Sequence, residues 1–315
     1  MEKEMLQPQI ANIVQNIEKV IIGKRDVTTL SIVALLAGGH VLLEDVPGVG
    51  KTMLVRALAK SVSAQFRRIQ FTPDLLPSDV TGVSIYNPKE GQFEYKAGPI
   101  MGHIILADEI NRTSPKTQSA LLEAMEEGNI TVDGITRPLP RPFFVMATQN
   151  PIEYEGTYPL PEAQLDRFLL KMKMGYPSLL EEIDILHRVE RKAPIDDLQP
   201  VITVEELLSL QKHVKEVYVG EPIKRYIVEI VQRTRSHASI YLGVSPRGSV
   251  ALMKAAQAYA FMHTRDFVIP DDIQFLAPYV LSHRLILKPE AKFDGLSAEE
   301  VIMQLLSRTP VPVQR

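Results

Sequence analysis

The sequence predicts an α/β fold, in which a parallel five-stranded sheet with flanking helices is followed by an all-α domain. Up to about residue 176, short apolar runs alternate with amphipathic segments of helical period, the pattern of a parallel sheet covered on both faces. From residue 204 onward, the apolar periodicity is helical throughout. A glycine-rich turn lies between the first apolar run and the helix that follows it, and this order is typical of sheets that bind polyphosphates.

Five apolar runs have the length and composition of strands in this sheet. They are Val41–Glu44, Phe66–Gln70, His103–Ala107, Phe143–Thr148 and Leu169–Met174. The later helical segments are Val204–Val217, Pro222–Arg235, Pro246–His263, Asp271–Ser282 and Ala298–Leu306. Pro194 and Pro200 lie in the connecting region, where the strand pattern has already ended. We therefore expect two domains, residues 1–180 and residues 181–315.

Two segments interrupt the alternation of strand and helix and are predicted to be β-hairpins. One runs from Val83 to Tyr95 around a turn at residues 87–91, and the other runs from Ile130 to Thr136 around Asp133-Gly134. Asp-Gly between β-branched residues is a strong hairpin signal. The sequence alone leaves open whether these hairpins are functional or only decorate the edge of the domain.

Composition and charge exclude several classes of protein. The chain has 315 residues and no cysteine, so disulfides, thiolate metal sites and cysteine nucleophiles are excluded. The net charge of −3 is spread evenly, without the basic excess of a dedicated nucleic-acid binder. The N-terminus is charged, and the longest apolar stretch, Leu30 to Leu43, is broken by glycines and too short to span a bilayer. We expect a cytoplasmic protein without membrane insertion.

The glycine-rich turn, Pro47-Gly48-Val49-Gly50-Lys51-Thr52, predicts a phosphate-binding loop. Glycines let backbone N–H groups converge on phosphate oxygens, and the helix N-terminus adds its positive dipole end. Lys51 would reach the outer phosphates, and the Thr52 hydroxyl would hold Mg²⁺. The common pattern has glycine where this chain has Asp45, a residue that tolerates unusual backbone conformations better than most.

A second motif follows the third predicted strand, which ends in Asp108-Glu109. In a nucleotide-binding sheet, this places Asp108 at the carboxyl edge beside the phosphate loop, where it can orient Mg²⁺. Glu109 can then polarise the attacking water. Strand ends often carry solvated acids, so Asp108-Glu109 indicates a nucleotide site only in combination with the phosphate loop that precedes it.

Three more residues are candidates for phosphoryl-transfer chemistry. Asn150 follows the fourth strand and could bridge the attacking water and the γ-phosphate, or could simply start a turn with Pro151. Arg167 precedes the fifth strand, and Arg247 lies in the first turn of a later helix. An arginine at the γ-phosphate stabilises charge in the transition state, although most arginines form local ion pairs, as Arg167 could with Asp166.

Other polar residues are interpreted as structural or solvated. The seven histidines are dispersed, with no pair at metal-ligand spacing. A helix at 116–127 is delimited by Ser114 and Gly128, and its Glu123, Glu126 and Glu127 are interpreted as a solvated face.

Together these residues resemble an AAA+ ATPase, and more closely the MoxR family. The resemblance covers nearly the whole chain, from Ile21-Ile22-Gly23-Lys24 to the C-terminal helices. Its most specific parts are residues 43–52, Asp108-Glu109-Ile110-Asn111-Arg112, and the run from Asn150 to Phe168. It implies a nucleotide-binding domain with two hairpin inserts and a helical lid domain. Aspartate at position 45 resembles a variant of the motif in this family.

The resemblance also implies a role for each matching residue. Ile22 and Gly23 would pack on adenine, Glu109 would be the Walker B glutamate, Asn150 sensor 1, Arg167 the arginine finger and Arg247 sensor 2. The Walker A residues are Asp45, Val46, Pro47, Gly48, Val49, Gly50, Lys51 and Thr52, and Asp108 is the Walker B aspartate that holds Mg²⁺ together with Thr52. The implied cofactors are ATP and Mg²⁺. The role of Arg112, and whether Arg247 acts within its own subunit, stay open.

The family further implies a homo-hexameric ring, because an arginine finger acts across a subunit interface. MoxR-like proteins are thought to remodel or mature partner proteins, often ones with von Willebrand factor A domains. We therefore expect a Mg²⁺-dependent ATPase with a chaperone-like role and a protein client. The alternatives are a nucleic-acid motor of the ring-helicase type, which the even charge disfavours, a magnesium-chelatase-like motor subunit, and a scaffold that binds ATP without hydrolysis.

Overall fold

The computed structural model describes residues 7–46, 48–150, 156–189 and 195–312. Pro47 of the predicted phosphate loop and residues 151–155 of the third family motif lie outside the described residues. The helices are α1 (Pro8–Glu18), α2 (Arg25–Leu36), α3 (Lys51–Ser61), α4 (Pro77–Thr81), α5 (Pro115–Glu127), α6 (Glu162–Leu165), α7 (Leu179–Val189), α8 (Val204–Val214), α9 (Glu221–Ser236), α10 (Pro246–Met262), α11 (Pro270–Leu281), α12 (Pro289–Phe293) and α13 (Ala298–Arg308). The strands are β1 (Val41–Glu44), β2 (Phe66–Gln70), β3 (Gly82–Asn87), β4 (Gln92–Ala97), β5 (Ile104–Asp108), β6 (Asn129–Val132), β7 (Ile135–Pro138), β8 (Phe144–Gln149), β9 (Leu170–Met172), β10 (Ile240–Leu242) and β11 (Ile286–Leu287).

The central sheet has five parallel strands in the order β2-β5-β8-β1-β9 and confirms the predicted fold class. All five predicted strands are present, two of them with the predicted bounds and the other three with ends that shift by one or two residues. Strands β1, β5 and β8 are apolar and almost wholly buried, as expected for strands covered on both faces. Because all strands run the same way, their carboxyl ends form one edge of the sheet, which we call the carboxyl edge, and their starts form the amino edge.

Two apolar clusters cover the faces of this sheet. One face packs against α4 and α5. The other face packs against α1, α2 and α3, and the same cluster continues into the lid helices α8 to α11 and α13. Helix α2 makes this continuity possible, because nine of its 12 residues are buried and it contacts α1, α8 and α10. The lid is therefore packed on the first domain through the N-terminal helices.

The region after residue 195 is mainly helical, as predicted, with two differences. The short helix α12 was not predicted. Strands β10 and β11 form a small antiparallel ribbon within the lid. Runs of two and three residues are too short to produce a recognisable alternating pattern, which is why the sequence predicted helices alone. The predicted boundary at residue 180 falls inside helix α7.

Both predicted hairpins are present. Strands β3 and β4 pair antiparallel around residues 88–91, and β6 pairs with β7 around Asp133-Gly134. Asp133 and Gly134 both have positive φ, at 52° and 75°, the conformation that favours this dipeptide in a tight hairpin turn. No helix in the described part of the chain is both long enough and apolar enough to cross a membrane.

His40, directly before β1, is a buried structural histidine. Its Nδ1 accepts a hydrogen bond from the Val145 amide, and its Nε2 lies 3.1 Å from the Met125 carbonyl oxygen, which accepts from it. Burial lowers the pKa of His40 to about 4, and burial together with neighbouring Arg284 lowers the pKa of His283 well below its ordinary value. Both imidazoles are neutral in the folded protein at pH 7.

We expect the folded protein to lose stability as the pH falls below 6.5. The unfolded chain binds a proton at His40 there, while the folded chain stays neutral down to about pH 4. His40 alone lowers the free energy of unfolding by about 2 kcal/mol between pH 7 and pH 5. Urea unfolding of wild type and His40→Gln at both pH values measures this difference, with exposed His213→Gln as the control. An equal pH dependence in wild type and His40→Gln would contradict the assignment.

Candidate nucleotide site

The loop between β1 and α3 has the backbone of a phosphate-binding turn. Gly48 and Gly50 have φ of +86° and +94°, where a side chain strains the backbone. A Cβ at Gly48 would meet no atom within 4 Å, so the backbone conformation and not a lack of space requires glycine there. Gly50 caps α3 without a side-chain acceptor, which leaves the first N–H groups of the helix open to a ligand.

Lys51 and Thr52 begin helix α3 beside this loop. Lys51 Nζ donates to the Asp45 carbonyl oxygen at 3.0 Å, so the lysine side chain folds back over the loop. Thr52 is half-buried in the first turn of the helix. Both residues lie at the carboxyl edge of the sheet, as the sequence predicted.

Asp108 ends strand β5 at the same edge. Its Oδ1 accepts from Thr148 Oγ1 at 2.6 Å, and its Oδ2 forms an ion pair with Arg68 NH2 at 2.6 Å. Since β8 is the only strand between β5 and β1, the carboxylate lies two strands away from the start of the phosphate loop. Thr148 and Arg68 carry no motif of their own, and their part in the site could be found only from the order of the strands.

Glu109 has a left-handed backbone conformation, with φ 58° and ψ 48°, which turns the chain sharply after the strand. Its Oε2 accepts from Gln70 Nε2 at 2.9 Å and pairs with Arg112 Nε at 3.2 Å, while its backbone N–H donates to Thr148 Oγ1. This answers in part the open question about Arg112, which contacts the predicted catalytic carboxylate. Gln70 was not predicted.

Asn150 comes directly after β8, between the ends of β5 and β1. It is nearly buried, and its carbonyl oxygen accepts a hydrogen bond from Asn111 Nδ2 at 3.3 Å. The residue before it, Gln149, donates to Glu44 Oε1 at 2.7 Å and joins β8 to β1. The structure thus brings Asn150, Asp108 and Lys51 to one edge, as the motifs predicted.

A cavity of about 260 Å³ lies against the phosphate loop. Its lining is mostly apolar and includes Ile22, Val49, Met53, Met174 and Ile185. Gly23 follows Ile22 with φ +70°, a left-handed conformation in which any side chain would strain the backbone. An apolar cavity beside a phosphate-binding turn suits a purine base with a polyphosphate tail.

The donor set suits Mg²⁺ bound partly by a nucleotide. Among the described residues, no group of three or more His, Cys, Asp or Glu side chains could hold a metal ion by itself. Mg²⁺ commonly takes one or two protein oxygens and completes its shell with phosphates and water, which Thr52 and Asp108 would allow.

Arg167 and Arg247 lie at the amino edge, on the far side of the sheet from the phosphate loop. Both pair with one carboxylate: Glu126 Oε2 lies 3.2 Å from Arg167 NH2, and Glu126 Oε1 lies 3.1 Å from Arg247 NH2. Glu126 is exposed, as predicted for a solvated face, but its two ion pairs with arginines were not predicted. Asp166, expected as a possible partner of Arg167, pairs elsewhere.

The partner of Asp166 is Arg284, which follows α11 in the lid and is 3% exposed. Arg284 Nε contacts Asp166 Oδ1 at 2.7 Å, and its NH2 donates to the Phe168 carbonyl oxygen at 2.7 Å. His283 Nε2 contacts the same carbonyl at 3.0 Å. The lid thus holds the segment that carries Arg167 from both sides, and nothing in the local sequence around Arg284 indicated this.

The two edges are far apart along the strands. Strand β1, whose carboxyl end leads into the phosphate loop, spans ~13 Å for its four residues. A separate cavity of about 490 Å³ surrounds Arg167 and Arg247, and it shares no lining residue with the cavity beside the phosphate loop. In this structure, the two arginines therefore face away from the phosphate loop of their own chain.

The class of protein follows from four features of the described structure. An ATPase domain of the AAA class has a phosphate loop, an acidic strand end, a polar residue after the strand between them, and a helical lid. Residues 40–170 match the model of the ATPase family associated with various cellular activities (AAA), and residues 232–305 match that of the AAA lid domain.

The relatives give the family within that class. The chain is 43% identical over 305 residues to Chaperone MoxR1 of Mycobacterium tuberculosis, covering 94% of this chain and 80% of that one. It is 67% identical over 313 residues to the uncharacterised protein YeaC of Bacillus subtilis, covering 99% and 98% of the two chains. A crystal structure of a Cytophaga hutchinsonii protein proposed to be an ATPase superposes with a TM-score of 0.92 at 40% identity, over 97% and 96% of the chains. The chain belongs to the MoxR family of AAA+ ATPases.

Proposed function

We propose that this chain is a Mg²⁺-dependent ATPase that works in a homo-oligomeric ring, expected to be a hexamer, and couples hydrolysis to the remodelling or maturation of a protein client. One observation carries the proposal. Lys51, Asp108, Glu109 and Asn150 meet at one edge of the sheet, while Arg167 and Arg247 lie at the other. A complete phosphoryl-transfer site then requires a second copy of the chain.

The residues of the carboxyl edge would perform the first part of the reaction. Lys51 leaves the Asp45 carbonyl and holds the outer phosphates with the loop amides, and Ile22 and its apolar neighbours pack on the base. Thr52 and Asp108 would hold Mg²⁺, which when bound would neutralise part of the phosphate charge. Glu109 orients a water molecule and accepts its proton as the water oxygen bonds to the γ-phosphorus, while the bond from this phosphorus to the β–γ bridging oxygen breaks and ADP and phosphate are released. Asn150 fixes the geometry between this water and the γ-phosphate.

The arginines of the amino edge would complete the site of a neighbouring subunit. Arg167 is a quarter exposed and Arg247 is two-thirds exposed, so both guanidinium groups are accessible to a second copy. Their shared partner Glu126 would release them to the γ-phosphate, whose charge develops further in the transition state. On this proposal, Arg247 acts between subunits and not within its own.

The client is proposed to be a protein. The relative from Mycobacterium tuberculosis is named a chaperone, and the β3–β4 hairpin exposes an aromatic pair, Tyr86 and Phe93, whose rings are 5.4 Å apart. Exposed aromatic side chains on a hairpin are suited to grip a polypeptide. A client with a von Willebrand factor A domain stays the first candidate, because the family resemblance implies it.

The proposal is tested by phosphate release from ATP across a series of protein concentrations. With Mg²⁺ present, the specific activity should rise with protein concentration, because each active site needs an arginine from a second chain. Lys51→Ala should lose the activity, and removal of Mg²⁺ by a chelator should do the same. Constant specific activity in monomeric protein would contradict the ring. Stimulation by DNA or RNA at physiological salt would favour the nucleic-acid motor instead.

A further inference from the structure

The departure from the common phosphate-loop pattern, Asp45, has a defined place in the structure. The side chain is 8% exposed and lies between the end of β1 and the chain that leaves β9. Its Oδ2 accepts two hydrogen bonds, from the backbone amides of Met174 and Gly175, each at 2.6 Å. Its Oδ1 accepts from the Val46 amide at 2.9 Å. Three backbone amides thus surround one carboxylate, an arrangement that binds anions well.

These amides belong to two segments that contribute lining residues to the cavity, the phosphate loop and the connection from β9 to α7, which we call its two walls. Val46 is part of the loop, whereas Met174 and Gly175 begin the connection that leads through Pro177 into α7. Met174 and Pro177 line the cavity, as do Gly48, Val49 and Gly50 of the loop. The Met174 Cε atom would lie 3.6 Å from a Cβ placed on Gly50, so the two walls approach closely where Asp45 joins them.

The backbone carbonyl oxygen of Asp45 lies beside the lysine of the phosphate loop. It accepts from Lys51 Nζ, the group proposed to bind the outer phosphates. Lys51 gives up this contact when it binds the phosphates, so the lasting link between the two walls is the Asp45 carboxylate, which accepts from Val46 of the loop and from Met174 and Gly175 after β9. Glycine at this position would leave the amides of Met174 and Gly175 without this acceptor.

We infer that Asp45 is a positioning residue that couples the phosphate subsite, which is the loop with Lys51, to the base subsite, which is the cavity beside it. When the loop adopts its phosphate-binding conformation, Asp45 also holds the β9–α7 connection against the nucleotide base. The inference rests on the proposed function, since it assumes that ATP occupies this cavity. Asp45 touches no reacting atom. Its effect is to let the triphosphate and the adenosine of one ligand bind cooperatively.

The test compares two ligands in each variant of the complete chain. Isothermal titration calorimetry measures the Kd of a non-hydrolysable ATP analogue and the Kd of tripolyphosphate, both with Mg²⁺. Tripolyphosphate needs only the loop and Lys51, whereas the analogue needs both walls. The Kd of tripolyphosphate divided by the Kd of the analogue reports what adenosine contributes to binding, and we call this quantity the ratio.

In Asp45→Gly, tripolyphosphate should bind within about threefold of wild type, because glycine is the residue of the common loop pattern. The ATP analogue should bind about tenfold more weakly, as expected for the loss of charged hydrogen bonds that hold one wall. Asp45→Asn keeps one acceptor oxygen for Met174 and Gly175 but turns an NH₂ group towards the Val46 amide, so the ratio should fall by less.

Glu44 provides the matched control. This neighbouring carboxylate also joins β1 to β9, through Lys171 Nζ at 2.9 Å, but it touches neither the loop nor the cavity. Glu44→Gln should keep the wild-type ratio. If Asp45→Gly and Asp45→Asn weaken both ligands equally, or leave the ratio unchanged, Asp45 supports only the fold of the loop and the inference is overturned. Should Asp45→Gly not fold, Asp45→Asn decides alone. A wild-type protein that binds neither ligand would overturn the proposed function, and the inference with it.

Discussion

Arg167→Ala will lower the kcat for ATP hydrolysis by about a thousandfold and leave ATP binding nearly unchanged, the effect of removing an arginine from a phosphoryl-transfer transition state. The reason is the position of the residue. Arg167 lies at the amino edge, held by Glu126 and by the Leu122 carbonyl oxygen, away from the phosphate loop of its own chain. Its loss therefore spares the site that binds nucleotide and removes charge stabilisation in a neighbouring one. Steady-state phosphate release and calorimetric binding of an ATP analogue separate the two effects.

A mixing experiment shows whether the arginine acts between subunits. Arg167→Ala has an intact phosphate loop, and Lys51→Ala has an intact Arg167, so each is expected to be inactive by itself. In mixed rings, the arginine of one variant meets the phosphate loop of the other, and activity should return. Arg225→Ala is the matched control, because Arg225 is exposed on α9 in the lid, where it pairs with Glu221 at 3.7 Å. Two inactive variants that stay inactive after mixing would contradict action between subunits.

Glu109→Gln is expected to bind ATP with wild-type affinity and to hydrolyse it at least about a hundredfold more slowly. Glutamine keeps the size of the side chain and can still contact Gln70 and Arg112, but it cannot accept a proton from the attacking water. Single-turnover hydrolysis with radiolabelled ATP measures the chemical step, and filter binding of the same nucleotide measures the affinity.

The control for this variant is Glu123→Gln, which removes an exposed carboxylate on α5 and should leave turnover unchanged. Glu109→Gln with wild-type turnover would remove Glu109 from the role of base. Loss of ATP binding in Glu109→Gln would mean that the carboxylate supports the nucleotide site and not the water. Both outcomes are distinct from the expected one.

The parts of the site that could be predicted are those encoded in short stretches of chain. The phosphate loop needs left-handed glycines at two positions and a helix after it, and residues 48–52 provide these locally. Asp108-Glu109 ends a buried strand, and the direction of a parallel sheet then brings it to the loop. The five strands and both hairpins were predictable for the same reason, since alternation and turn residues are local signals.

The parts that could not be predicted are contacts between strands and helices distant in sequence. Arg68 contacts Asp108 and Gln70 contacts Glu109 because β2 pairs with β5. The sequence of β2 does not predict which strand lies beside it. Arg284 reaches Asp166 across 118 residues.

Glu126 is exposed, as predicted, but helical period says only which face a residue is on and not what lies opposite, so its two ion pairs were not predicted. The sequence gives the position of Arg167 and Arg247 on their own elements. Only the packing of the lid brings both of them to the same carboxylate.

The sharing of Glu126 by Arg167 and Arg247 has an electrostatic consequence. Two guanidinium cations share one carboxylate, so the single negative charge of Glu126 does not neutralise both of them. A nucleoside triphosphate seated in an adjoining copy supplies the missing negative charge, and a diphosphate supplies less of it. The stability of the contact between protomers would then depend on which nucleotide is bound and would fall as ionic strength rises. The bound triphosphate would supply the charge that attracts the arginines of the next protomer.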